Sequence, residues 1–472
     1  MNIEQKPKYQ LLPTGERIIF TVYDARVLTH FKVKYVAEVY IQNDKASLVK
    51  RATLKVTPNS KGKGIFDFSN VADSYVSPDY QGGQVLENSG SDESHVDNTP
   101  FTVRYHDIHR IDEYCTAKES IKYLTVLFFF EGASTSNGNV SLDNTPTTSN
   151  DYLIFNGVLY DTDILAKSTG SPDFGYNLGY HNLILNSTDD KFLSNGPSKQ
   201  YVRDGDYATQ AFFQNYDLDF SVGGGSATNP IVDSVDVQFY HNGATTGSLL
   251  NIPVQANKGG HKSSSSEART KMLFVGVGIG NLTGSGLTIP TNWDYYTVQA
   301  KNDNNNSISQ VYEYHKQTDD CRGYETIRLT WLNKYGAWDY YNFNKKSVRT
   351  LESTRTTYTQ QQGTWNEDAF AIRGRLGGTR QFTNNVKEMI SVNTEYITEE
   401  EGIWLEELFL SNDVFILESR STDVANQGVV RKYVQPVLVT DNSHTRKTVA
   451  NDSLVQYTFN LELSKNRTVQ RR

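Results

Sequence analysis

Cysteine is almost missing from this chain of 472 residues, which has only Cys115 and Cys321. The two lack CxxC spacing and are too few for a disulfide framework, so a stapled secreted scaffold is not indicated. They suit synthesis in a reducing cytoplasm, with a single Cys115–Cys321 bridge left open. A cationic surplus is missing too. Lys plus Arg is 46 against 54 Asp plus Glu, a net charge of −8. That balance argues against specific nucleic-acid binding, because tracking phosphates needs clustered cations. No stretch reaches 18 consecutive apolar residues, so no membrane segment is expected. Residues 1–8 carry no apolar core of a secretory signal. The sequence also lacks a Gly-x-Ser-x-Gly elbow, a Cys/His pair of any protease family type and a repeat of fixed period. The expectation is a protein that is not an enzyme and has no cofactor.

What the chain has in quantity is aromatic residues, 12% of the total, with 29 Tyr and 22 Phe. Tyr and β-branched residues suit half-buried pleated surfaces, and the patterning agrees. Phe31, Val33, Tyr35, Ala37, Val39 and Ile41 alternate with mostly polar neighbours, as do Ala52, Leu54 and Val56. Val235, Val237 and Phe239 form another such set, and Val455, Tyr457, Phe459, Leu461 and Leu463 a fourth. Residues 121–130 are nearly all apolar and predict a buried strand. Asn156-Gly157, between residues 152–155 and 158–160, predicts a hairpin. Helix signals are few. Ser69 is placed to cap a short turn bearing Val71, Ala72, Tyr75 and Val76. Thr398 with Glu401 forms a capping box ahead of the stripe Trp404, Leu405, Leu408 and Phe409, predicting a helix over 398–411.

Long polar segments, such as 81–100, 131–150 and 223–230, read as loops. The whole predicts a mainly β protein: two or three β-sandwich or barrel-like modules with one or two short helices and long polar loops. The boundaries fall at 1–205, 206–310 and 311–472. Residues 1–13, polar and Pro-containing, are expected to order on a partner, as are residues 464–472.

Local candidates for chemistry each have a structural reading. His106 and His109, with Asp107, Asp112 and Cys115 nearby, have spacing that suits metal ligands on a turn, but no diagnostic further ligand follows. Gly276, Gly278 and Gly280 follow an apolar run in the manner of a nucleotide loop, without its final glycine spacing or acidic partner. Close approach of another segment explains them more simply. Asp217/Asp219, Asp233/Asp236 and Asp319/Asp320 are the places to look for paired carboxylates. Residues 373–380, with Arg373, Arg375 and Arg380, form a basic loop suited to an acidic neighbour. Trp293-Asp294-Tyr295-Tyr296, if exposed, is a stacking platform for a sugar.

The densest aromatic segment is 325–343, ETIRLTWLNKYGAWDYYNF. Ile327, Leu329 and Trp331 alternate, residues 332–336 read as a turn, and a second strand follows. Trp331, Tyr335 and Trp338 are expected to share a core with Trp404. The run Trp331-Leu332-Asn333…Gly336-Ala337-Trp338-Asp339 resembles a motif of virion structural proteins of tailed bacteriophages. Two further segments are similar to the same group. One is Pro58-Asn59…Gly62-Lys63-Gly64-Ile65-Phe66-Asp67, and the other is the stretch from Tyr396 to Leu408. The resemblance implies a structural component of the particle, a ring subunit at the tail, neck or baseplate. Its partners would be copies of itself in a symmetric ring and other virion proteins, and its location the virion. The alternative is a receptor- or carbohydrate-binding virion protein that meets a host surface glycan.

Overall fold

Alternation of Tyr35, Ala37, Val39 and Ile41 buries one face of a long strand, Phe31–Gln42, with Val36 buried on the other, and this strand organises the first sheet. It pairs antiparallel with Lys50–Val56 on one side and with Ile121–Ala133 on the other. Ile121–Ala133 in turn pairs with Tyr152–Phe155, which pairs parallel with Leu11–Pro13. The structure is a computed structural model. It describes residues 1–7, 10–81, 108–111, 113–158, 183–214, 231–254, 267–284, 287–317, 323–417, 434–441, 443 and 454–464.

Facing this sheet is a three-stranded one made of Asn2–Gln5, Ile19–Tyr23 and Lys63–Asp67. Tyr35, Val39, Val126 and Phe128 from one sheet meet Phe20, Val22 and Phe66 from the other in one core. Phe20 and Phe66 lie 5.7 and 5.5 Å from Phe128, ring centre to ring centre, so this is a β-sandwich packed through aromatic edges. The segment 58–67 enters the sandwich through a turn. Asn59 Oδ1 accepts from the amides of Lys61 and Lys63, and Gly62 takes φ +75°. A side chain on Gly64 would meet the Tyr35 ring at 2.5 Å.

Two more sheets follow in the same unit. One runs Lys199–Val202, Tyr312–Lys316, Tyr295–Asn302, Val232–His241, Ala244–Pro253; the other runs Thr209–Phe213, Met272–Gly276, Tyr114–Thr116. The last sheet draws on chain from both sides of residue 205. The described chain forms two compact units. The first takes in Met1–Gln317 and returns for Leu332–Asp339; the second holds Thr318–Trp331, Tyr340–Glu418 and Asp423–Arg472.

The second unit is built on a seven-stranded sheet. Its order is Trp338–Phe343, Ile327–Leu332, Val414–Leu417, Val434–Val439, Thr458–Leu463, Gly378–Asn393, Val348–Gln360. A helix of 12 residues, Glu399–Leu410, covers it. Thr398 caps that helix through the amide of Glu401, whose carboxylate accepts from the Thr398 amide at 2.8 Å. Trp404 and Trp331 pack at 5.1 Å in a core shared with Leu405, Leu408 and Phe459. The fold is mainly β, with open sheets and three short α-helices among the described residues.

Several local expectations are corrected. Both edges of Tyr152–Phe155 are already paired, so Asn156-Gly157 turns no hairpin onto it, and neither residue takes a positive φ; residues 159–160 lie outside the described set. Ser69 does not cap the helix Ser69–Asp73; its amide and hydroxyl both donate to Asp67 Oδ1. The 131–150 segment includes two short strands, Ser141–Leu142 and Thr147–Thr148, that pair back on Ile121–Ala133. Residues 1–13 supply two strands, with Leu11 and Leu12 fully buried. Tyr335 and Trp338 are not in the Trp404 core. They belong to the first unit, where Tyr335 Oη donates to Asn195 and Trp338 Nε1 donates to the Asp79 carbonyl.

Candidate assembly surface

Residues 348–360, VRTLESTRTTYTQ, contain β-formers but no apolar alternation, so neither face of such a strand has a reason to be buried. The structure follows suit. Val348–Gln360 pairs in register with Gly378–Asn393, from Val348 opposite Ser391 to Gln360 opposite Gly378. The returning strand meets a third strand, Thr458–Leu463, only over Met389–Asn393. Beyond Leu351 and Glu388 the pair meets no third strand among the described residues and is a two-stranded ribbon, whose nine residues of outgoing strand span about 30 Å.

The root of the ribbon is pinned electrostatically. Arg349 bridges Glu325 at 2.6 Å and Glu388 at 3.1 Å, and these carboxylates raise its guanidinium further above its ordinary value. Along the ribbon Glu352 stands opposite Lys387, while Thr354 faces Asn385 and Thr356 faces Thr383. Charged and hydroxyl side chains on both faces suit a hairpin in water and discourage edge-to-edge pairing. A bulge falls between Thr356 and Thr357, and near it Phe382 packs edge-on to Tyr358 at 6.2 Å.

The tip has a different character. Trp365, Phe370 and Ile372 are 64, 58 and 71% exposed, although Trp365 and Phe370 touch edge-to-face at 5.3 Å. Gly363, at φ +87°, lets the Phe370 ring lie where a side chain would stand, 2.2 Å from an added Cβ. Arg373 pairs with Glu367, Arg380 Nη2 donates to the Arg375 carbonyl, and the Leu376 amide closes a turn on Arg373. The basic loop expected over 373–380 is thus a turn in the tip, and Thr379 and Arg380 already belong to the returning strand.

The remaining candidates take structural places. His109 is buried, its ring edge-on to Trp338 at 4.8 Å, and Cys115 is buried in a strand opposite Phe274. His106, Asp107 and Asp112 lie outside the described residues, as do Asp217, Asp219, Asp319, Asp320 and Cys321. Among the described residues no group of three or more His, Cys, Asp or Glu could hold a metal ion. Asp236 accepts from Asn251 at 2.7 Å, whereas Asp233 sits where the strand loses register with its neighbour, so the two do not converge.

Gly276, Gly278 and Gly280 are filled in by the protein's own backbone. Added Cβ atoms would fall 2.5 Å from the Ile111 carbonyl, 2.4 Å from the Ala208 amide and 2.6 Å from the Gly205 carbonyl. Asn281 of the short helix Ile279–Gly284 then ties the segments together, donating to His109 and Ile111 and accepting from Ala208. That is a packing junction, with no room for a phosphate.

The Trp293–Tyr296 platform is closed as well. Trp293 and Tyr296 are buried. Tyr295 stands between Tyr240 at 4.7 Å and His315 at 5.0 Å, with interplanar angles of 4° and 17°. Rings stacked along the strand-to-strand direction cover each other's faces and leave edges outward, whereas a sugar stacks on a ring face. The ribbon itself was missed in sequence. Its signal was available as a long Thr-rich, Pro-free stretch lacking an apolar face.

No family model matches the chain, and no curated protein matches it. Among solved structures it is similar to the native conformation of E. coli alpha-2-macroglobulin, reconstructed by single-particle cryo-EM, at 11% identity and a TM-score of 0.17. The match covers 83% of this chain and 22% of that one, a likeness that carries no argument. Nothing among the described residues points to catalysis. No helix among them is long and apolar enough to cross a membrane.

Proposed function

We propose that the chain is a structural component of a tailed-phage particle, assembling as a ring subunit at the tail, neck or baseplate. The ribbon of residues 351–388 carries this reading. A two-stranded hairpin wet on both faces contributes little to its own chain, and the exposed Trp365, Phe370 and Ile372 at its tip are apolar surface of the kind that marks protein contacts. The three segments resembling virion proteins support the particle as its location, with copies of itself and other virion proteins as partners. The receptor- or carbohydrate-binding alternative does not have Trp293 or Tyr296 for a platform, since both rings are buried.

The test is quantitative composition. In purified particles of the encoding phage the chain should be present at one fixed, symmetric copy number, and the isolated chain should give closed oligomers by native mass spectrometry. A chain that stays monomeric and is absent from purified particles sinks the proposal.

A further inference from the structure

Among the described residues the second unit carries another exposed apolar face besides the ribbon tip. On the helix Glu399–Leu410 the exposed residues Glu399, Ile403 and Leu410 follow one another at spacings of four and seven, and so form one outward stripe. Ile403 and Leu410 are exposed, and so is Tyr396, just before the helix. Glu399 and Glu400 are exposed beside them. The face is therefore apolar with an acidic border, set by the same heptad-like spacing that buries Trp404, Leu405 and Leu408 on the opposite side. The ribbon tip is net basic: Trp365, Phe370 and Ile372 are bordered by Arg373, Arg375 and Arg380, against Glu367, which pairs with Arg373, and Asp368.

We infer that the ribbon tip of one copy docks on the outer face of this helix in the next copy. Apolar groups would meet apolar groups while Arg375 and Arg380, beyond the Arg373–Glu367 pair, face Glu399 and Glu400. Opposite borders of this kind orient a contact and speed encounter more than they tighten it. The two patches differ, so the contact is head-to-tail, the kind that closes into rings. A tip held out on a ribbon can reach a neighbour without its sheet having to touch the neighbour's sheet. Each contact is small, and closure of the ring supplies the remaining affinity through effective concentration. The inference rests on the ring-subunit reading above and names the surface by which such a ring forms.

The experiment combines charge reversal with cross-linking in the full chain. Arg373→Glu with Arg375→Glu should shift the oligomer to monomer by at least tenfold in apparent Kd. Adding Glu399→Lys with Glu400→Lys to the same chain should restore oligomers. Independently, a photo-reactive phenylalanine analogue at Phe370 should cross-link between copies to peptides from 396–410. Oligomers that survive the first pair of changes, with cross-links mapping elsewhere, overturn this contact and leave the ring reading standing. A parent chain that is monomeric overturns both. A closed two-copy exchange, seen as a dimer that grows no further, overturns the head-to-tail arrangement. A far-ultraviolet spectrum and melting curve matching the parent verify that each variant is folded.

Discussion

Asn333 and Gly336 explain much of the aromatic hairpin's sequence. Asn333 Oδ1 accepts from the amides of Tyr335 and Ala337, and its Nδ2 donates to the Leu193 carbonyl. Gly336 takes φ +75°, and a Cβ there would lie 1.9 Å from the Asn156 carbonyl. Gly336→Ala combines strain with a backbone clash and should destabilise the first unit by about 2 kcal/mol or more, measurable by denaturant melting. Trp404→Ala should cost about 3–5 kcal/mol, because Trp404 is buried against Trp331. A variant that melts like the parent would remove Trp404 from the core. Asp24 gives a pH dependence. Arg26 donates to its carboxylate from the backbone amide, Nε and Nη2, and holds it well below the usual carboxylate range despite burial. A folded-state value depressed in this way gives stability that is present above the unfolded value of about 4 and lost as pH falls below it. Acid titration of the melting temperature should show that loss, and Asp24→Asn should flatten it.

At the scale of elements, the helix Glu399–Leu410 is the clearest case of reading ahead. Thr398→Ala removes the capping hydroxyl and should cost about 1 kcal/mol. The helix, the strand Phe31–Gln42 with its partner Lys50–Val56 and the strand around Val235–Phe239 were legible because alternation or helical spacing records a more buried face, and the strand from Ile121 because burial on both faces leaves a continuous apolar run. Elements whose reason lies elsewhere in the chain were not. Leu11–Pro13 is a strand because Tyr152–Phe155 offers it an edge, and Tyr335 and Trp338 pack by tertiary placement that local pattern does not encode. The ribbon escaped for the opposite reason, since it buries nothing. Among the described residues its only strand partner is the returning strand, so residues 352–360 should exchange hydrogen faster than residues 123–130 of the sandwich core in exchange mass spectrometry. Equal protection in the isolated chain would mean the ribbon is covered.

For the whole molecule, the ribbon and the N-terminal strands respond differently to deletion. Replacing residues 352–387 by a two-residue Asn-Gly turn should leave the melting temperature nearly unchanged and abolish oligomers, because the excised residues are mostly solvent-exposed. Deleting residues 1–13 removes two strands and the buried Leu11 and Leu12, and should lower stability before it affects assembly. The two truncations, followed by melting and by native mass, separate a docking element from a structural one.

The return of Leu332–Asp339 to the first unit also bears on how the protein is made. The ribosome has produced most of the first unit by Gln317, yet Asn333, Trp338 and the Asp339 carboxylate that accepts from Ser194 at 2.6 Å are still unsynthesised. A nascent chain arrested before residue 332 therefore holds a vacancy where Trp338 Nε1 will meet Asp79 and where Lys334 will receive the Val158 amide. Folding of the first unit concludes only after the first strand of the second has emerged. A gene fragment ending at residue 317 encodes an unfinished module, and a transplantable one must carry the hairpin with it.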